Sequence, residues 1–226
     1  MSERVRVGIV DSGYRDKQMA MVEDSAAFIL HEDALWMDEP SEDLINHGSR
    51  ILDIIHYHAP ESLFYVAQVF SQKNTTTAAQ VAAAIDWLVN QQVRVINLSL
   101  GLRDDRPVLK EAVENALNAG VIMCASAPAR GDPVYPSAYE GVLRMTGDAR
   151  CDLEELSWLN TQYADFGGHV LGFDQKQQAA GASLGCAHMT GHVARLLHII
   201  TDPNRDAIYQ ALQQQAKYIG PERRFS

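Results

Sequence analysis

Residues 77–101 read TAAQVAAAIDWLVNQQVRVINLSLG, and this stretch decides the fold class. Its first part, 77–90, is crowded with alanine and other residues that lose little freedom on entering a helix. Its second part, VRVINLSLG at 93–101, is a β-branched and apolar run that suits a pleated strand and stops at a glycine. A helix therefore feeds a strand almost directly, which is one unit of an alternating α/β chain.

The same alternation extends in both directions. Val5, Val7 and Ile9 alternate with Arg4, Arg6 and Gly8, a strand signal that ends at the turn-forming triplet Asp11-Ser12-Gly13. From His47, the residues Ile51, Ile54 and Ile55 recur at helical spacing, so His47 opens a helix that closes near Ala59-Pro60, and Ser62 to Val69 reads as the next strand. Pro107 to Asn118 forms a further helix stopped by Gly120, with Val121 to Ala127 as the strand after it. The last third is expected to carry short strands near 141–146 and 169–173 and helices near 183–199 and 203–217. No linker or repeat interrupts the plan, so residues 1–226 are expected to form a single α/β domain. Such a chain builds a mostly parallel sheet with helices on both faces and ligand chemistry at the carboxyl ends of its strands. Asp11, Ser99-Leu100-Gly101 and the residues after Ala127 all emerge at that edge.

Composition narrows the function. The chain is 46% hydrophobic and 21% charged with a formal net charge of -10, and its Lys and Arg residues are scattered. Without a basic footprint, neither nucleic acid nor an anionic membrane surface is an expected partner. The chain runs from Met1 into a strand with no signal-peptide pattern and has no membrane-spanning stretch, so a cytoplasmic location is expected. Three cysteines, Cys124, Cys151 and Cys186, lack metal-type spacing and read as reduced packing thiols. His56 and His58 stand two apart, a spacing that does not share a helix face, so no metal site is expected there, and no cofactor anywhere.

Three residues stand out chemically, and each has an ordinary explanation when taken alone. Asp11 at a strand end suits a turn, a metal or a phosphate-acceptor carboxylate; His47 suits a helix cap; Ser183 suits an N-cap. Acyl transfer needs all three types together: a hydroxyl nucleophile, a base within its reach and an acid that holds the base's tautomer.

The order Asp, His, Ser, taken with the flanking residues, resembles the subtilisin-like serine peptidase family. VGIVDSG is similar to its aspartate motif, INHGSRI to its His-Gly-Ser/Thr motif, and GASLGCAHMTGHVA to its nucleophile motif. APESLFYVAQVF and VRVINLSLG are similar to the family's following strands, so the likeness spans nearly the whole chain. The resemblance implies a subtilisin-like three-layer fold and a serine endopeptidase in which Asp11 orients the imidazole, His47 is base then acid, and Ser183 attacks. It implies substrate binding by strand addition along Ser99, Leu100, Gly101 and Leu102. It places His188 in the nucleophile's helix as a structural residue, and gives Asn46 either a turn role or a substrate contact.

The pattern also breaks. The family's oxyanion-binding Asn falls at Ala129, in CASAPARG, and the Thr before its nucleophile is Ala182. Asn97, Asn160 and the Ser183 backbone are candidate substitutes, and loss of one such donor typically slows turnover by ~10²–10³-fold. Arg130, next to the missing Asn, suggests a preference for Glu or Asp before the cut. With no prosegment and no calcium cage expected, these features point to selective processing, such as leader removal from a ribosomally made peptide. The partners expected are a leader-bearing precursor and its modifying enzyme. Peptidases of that kind occur in maturation operons, including that of quinohemoprotein amine dehydrogenase. The alternatives are a peptide-binding pseudopeptidase with a crippled oxyanion hole and an unrelated flavodoxin-like or hydrolase fold.

Overall fold

The computed structural model describes residues 4–70, 75–173 and 181–222. Its elements run β1 (Arg6–Asp11), a 3-10 turn (Asp16–Met21), β2 (Val22–His31), β3 (Ala34–Asp38), α1 (His47–His58), β4 (Leu63–Gln68), α2 (Ala78–Asn90) and β5 (Val95–Leu98). They continue α3 (Pro107–Asn118), β6 (Ile122–Ser126), β7 (Leu143–Gly147), β8 (Leu156–Trp158), β9 (Phe166–Gly168), α4 (Ala182–Ile199), α5 (Arg205–Gln215) and β10 (Tyr218–Ile219). The ten strands form one sheet in the order β10-β8-β9-β7-β6-β5-β1-β4-β2-β3. Neighbours from β9 through β7, β6, β5, β1 and β4 to β2 pair in parallel, and only β8 with β9 and β2 with β3 are antiparallel.

The two-residue period of the strands distributes side chains between two cores. Val7 and Ile9 of β1, Val95 of β5 and Cys124 of β6 face α1, α4 and α5. Val10, Ile96 and Met123, one step out of phase, face α2 and α3. Both faces of the sheet are thus covered by helices, as the near-continuous apolar strands require. α2 begins with a capping box in which Thr77 accepts from the Gln80 backbone and Gln80 reaches back.

Two glycines let helix starts press against strand ends. A Cβ on Gly48 would lie 2.3 Å from the Gly13 carbonyl oxygen, and one on Gly185 would lie 2.2 Å from the Thr146 carbonyl oxygen. Any side chain at either position would push α1 away from the end of β1, or α4 away from the end of β7.

The expected strand at 169–173 is absent, because β9 ends at Gly168. Beyond it the backbone acceptors turn inward: the Val170 carbonyl accepts from the Gly181 N–H, and the Leu171 carbonyl lies 3.0 Å from His188 Nε2. The β2–β3 hairpin and the short strands β8, β9 and β10 are additions to the expected plan.

α1 and α4 pack against each other through histidines. His58 Nε2 lies 2.9 Å from His188 Nδ1, while His192 Nδ1 accepts from Arg195. His188 thus serves the helix contact, and among the described residues no group of three or more His, Cys, Asp or Glu is arranged to hold a metal ion. Burial lowers the pKa of His58 to about 3 and of His188 to about 4, and pushes His192 well below its ordinary value. Glu154, 4.0 Å from His58, opposes the shift, and Arg195 and His169 add to it. The unfolded chain takes up these protons below pH 6.5 while the folded chain refuses them, so stability is lost as pH falls from 6.5 towards 4. The slope is about 1.4 kcal/mol per pH unit for each histidine. Urea unfolding between pH 7 and 4 will show it, and His188→Gln will flatten the slope.

Candidate active site

The strand β1 delivers Asp11 to the carboxyl edge of the sheet, fully buried. Its Oδ1 accepts from the Ser12 backbone N–H at 2.8 Å and from His47 Nδ1 at 2.7 Å. Ser12 Oγ stands 3.3 Å from the same oxygen and accepts from the Gly48 N–H at 2.9 Å, tying the turn after β1 to the first turn of α1. Asp11 Oδ2 is buried with no hydrogen-bond partner among the described residues. The carboxylate's charge is the largest cause of a raised His47 pKa; burial opposes it, while the hydrogen bond to Asp11 and the nearby Asp43 reinforce it.

A residue not singled out in the sequence positions His47. Asp43, buried in the loop before α1, accepts from the backbone N–H groups of Ile45, Asn46 and Ser49 at 3.1, 2.8 and 2.9 Å, and from Ser49 Oγ at 2.7 Å. These bonds hold Asn46 in the left-handed conformation, φ 62°, from which α1 starts. Asn46 thus serves the turn. The available signal was an acid three residues before a helix-opening Asn-His-Gly, the place where a carboxylate organises a turn. Gln68, at the end of β4, clamps the same region by donating to the Ser12 and Ser41 carbonyls.

Ser183 lies in the first turn of α4, after Gly181. Its hydroxyl donates to the Ser99 carbonyl at 3.1 Å, and Ser99 Oγ in turn lies 3.0 Å from the Ser183 carbonyl and 2.9 Å from Asn97 Oδ1. The helix start and the strand end are thereby joined, and among the described residues no hydrogen bond links Ser183 to His47. Catalytic hydrogen bonds are often loose without substrate.

Of the four residues expected to receive a substrate strand, Leu102 is already paired. Leu102 exchanges both backbone hydrogen bonds with Tyr135, at 2.7 and 2.8 Å, and has none left for a peptide. Leu100 is buried in the α2–α3 core, so its side chain is withdrawn from the surface. Gly101 is exposed beside Val134, whose Cγ2 would meet a Cβ at 2.9 Å. Ala129 and Arg130 follow β6 in an exposed loop. Asn97 is no oxyanion donor: it is fully buried and its amide donates to Thr190 Oγ1 at 2.9 Å. Asn160 stands at φ 47°, exposed in the turn between β8 and β9.

Known proteins resemble this chain in sequence and in fold. A thermostable alkaline protease of Halalkalibacterium halodurans is 23% identical over 239 residues, covering 95% of the chain and 63% of the relative. The chain thus spans less than two thirds of that relative's length. A cold-adapted subtilisin-like serine proteinase superposes with TM-score 0.70 at 19% identity, covering 94% of this chain and 84% of its own. The prenylagaramide maturation protease PagA superposes with TM-score 0.66 at 16% identity, covering 92% and 82%. These structures establish the mostly parallel subtilisin-like α/β fold. The description "Subtilase family" matches residues 2–147, more than half of the sequence, and the chain belongs to that family.

Proposed function

We propose that the chain is a serine endopeptidase of the subtilisin type, acting as one domain through Asp11, His47 and Ser183. The observation that carries this reading is the 2.7 Å contact between a buried, otherwise half-unpartnered carboxylate and His47 Nδ1. It fixes the imidazole so that Nε2 is free to act as a base. Attack on a substrate carbonyl requires the Ser183 proton to leave the Ser99 carbonyl for that nitrogen. The new oxyanion meets the N–H groups and positive dipole end of α4. Ser99 to Gly101 supply main-chain partners for the substrate. His47 then returns its proton to the leaving amine.

Side-chain help for the oxyanion is poor, since Ala129 and Ala182 stand where the family pattern has donors. A slow enzyme with one preferred substrate fits this better than a degradative one. The likeness to a maturation protease supports leader removal from a partner peptide made with its modifying enzyme, and maturation of quinohemoprotein amine dehydrogenase is one such setting. Three free, buried cysteines suit a cytoplasmic site of action. The unbonded Ser183–His47 pair favours one second reading, a peptide-binding pseudopeptidase.

A fluorophosphonate probe will label the folded protein and fail on Ser183→Ala; a folded wild type that stays unlabelled is a pseudopeptidase. The labelling rate will climb with pH through a midpoint above 6.5, because His47 must lose a proton that Asp11 and Asp43 help it keep. Asp43→Asn will move that midpoint down and slow labelling, whereas a merely structural role for Asp43 leaves the midpoint in place. Matched peptides with Glu, Gln or Leu before the cut will be cleaved fastest with Glu if Arg130 contacts that side chain, and equal rates exclude the contact.

A further inference from the structure

The sheet ends in a hairpin that the proposed chemistry does not use. β2 pairs with β4 only as far as Ala27, so its last four residues and β3 project beyond the sheet. Glu32 and Asp33 join the two strands, both in the left-handed region at φ 49° and 61°, as a two-residue hairpin turn requires. In such a hairpin the pair flanking the turn, His31 and Ala34, exchanges hydrogen bonds, and alternate pairs follow: Ile29 with Trp36, Ala27 with Asp38. The peptide groups of Leu35 and Met37 therefore point outward from the sheet's last edge.

Every residue of β3 is exposed, with Trp36 61% and Met37 65% accessible, and Ile29, Leu30 and Leu35 extend the apolar surface. Natural sheet edges are usually blunted by lysine, proline or a bulge, and Ala34 to Met37 contain none of these. Along the sequence the charge of this hairpin and its flanks has one sign. Between Lys17 and Arg50 the sequence holds no Lys or Arg, and Glu32, Asp33, Asp38 and Glu39 bracket β3 itself.

We propose that β3 is a docking edge that takes up an extended, Lys- or Arg-flanked polypeptide segment as an added strand. Main-chain hydrogen bonds to Leu35 and Met37 would supply affinity, the apolar side chains the packing, and the acidic brackets the choice of partner. A second copy of this chain is disfavoured: antiparallel pairing about Trp36 sets Asp33 against Glu39, and each protomer carries a net charge of -10. β3 lies three strands from β1, roughly 14 Å at ordinary strand spacing, so a segment held there is remote from Asp11. The proposal holds whether or not the chain cleaves peptides.

The test is calorimetric titration of the Ser183→Ala chain, which cannot consume the probe, with a synthetic peptide of alternating Val and Thr flanked by two Lys at each end, and with its Glu-flanked twin. The Lys-flanked peptide is expected to bind, to weaken as salt rises and to shift Trp36 emission; the twin is expected to bind at least about tenfold more weakly. Met37→Pro removes one outward N–H without touching the hairpin's own ladder, and is expected to weaken binding about tenfold. Asp38→Lys with Glu39→Lys keeps the backbone and is expected to reverse the preference. Absent binding, equal affinity for the two peptides, or a preference unchanged by the charge reversal overturns the proposal, the last of these even if Met37→Pro fails to fold. A wild-type dimer that Met37→Pro dissolves overturns it in favour of a second copy. Fluorophosphonate labelling of the wild type is independent of all these outcomes, so failure here is separable from failure of the peptidase reading.

Discussion

Everything at the carboxyl edge of the sheet depends on how closely two helix starts approach two strand ends. Gly48 and Gly185 leave no room for even a methyl group against the Gly13 and Thr146 carbonyls. Protein interiors transmit small displacements because they are close-packed, so a retreat of α1 would carry His47 away from Asp11. A retreat of α4 would likewise separate Ser183 from Ser99. The glycines are thus geometric conditions for the candidate site, although neither is one of its polar residues.

Around that constraint the polar groups form two halves. Asp11, Ser12, Gly48 and Asp43 belong to the β1–α1 half, and their bonds hold the imidazole from both the strand side and the loop side. Ser183, Ser99, Asn97 and Thr190 belong to the β5–α4 half. Asn97 illustrates how strongly tertiary context decides a role. Its position on β5 suited an oxyanion donor, but the alternation that sends Ile96 and Leu98 to one core sends Asn97 to the other, under α4, where a buried amide must find partners.

The alternation of strands and helices was legible because it rests on local periodicity. Val5 to Ile9, the alanine-rich α2 and the run before Gly101 all express their environment in three to ten residues. The β2–β3 hairpin was not legible for the same reason: its turn residues are Glu32 and Asp33 rather than Asn-Gly, and its outer strand is exposed on both faces, so no inside–outside pattern marks it. The strand misplaced at 169–173 reflects a choice made at long range, since His188 and Gly181, not a neighbouring strand, take up its backbone acceptors. Within the candidate site, Asp11, His47 and Ser183 stand in stretches marked by their flanks, whereas Asp43 works through backbone N–H groups and Leu102 is occupied by a partner 33 positions away, neither of which a motif records.

The placement of Ser183 on α4 has a consequence for the chain's life before it is folded. Asp11 and His47 lie on β1 and α1, whereas Ser183 joins them from α4, more than a hundred residues further along the chain. Closing so long a loop is entropically slow and comes late. During synthesis the amino-terminal strands can pair while the hydroxyl is still inside the ribosome. The three residues therefore come together only when α4 docks, and a chain of this design keeps them apart until that long-range contact has formed.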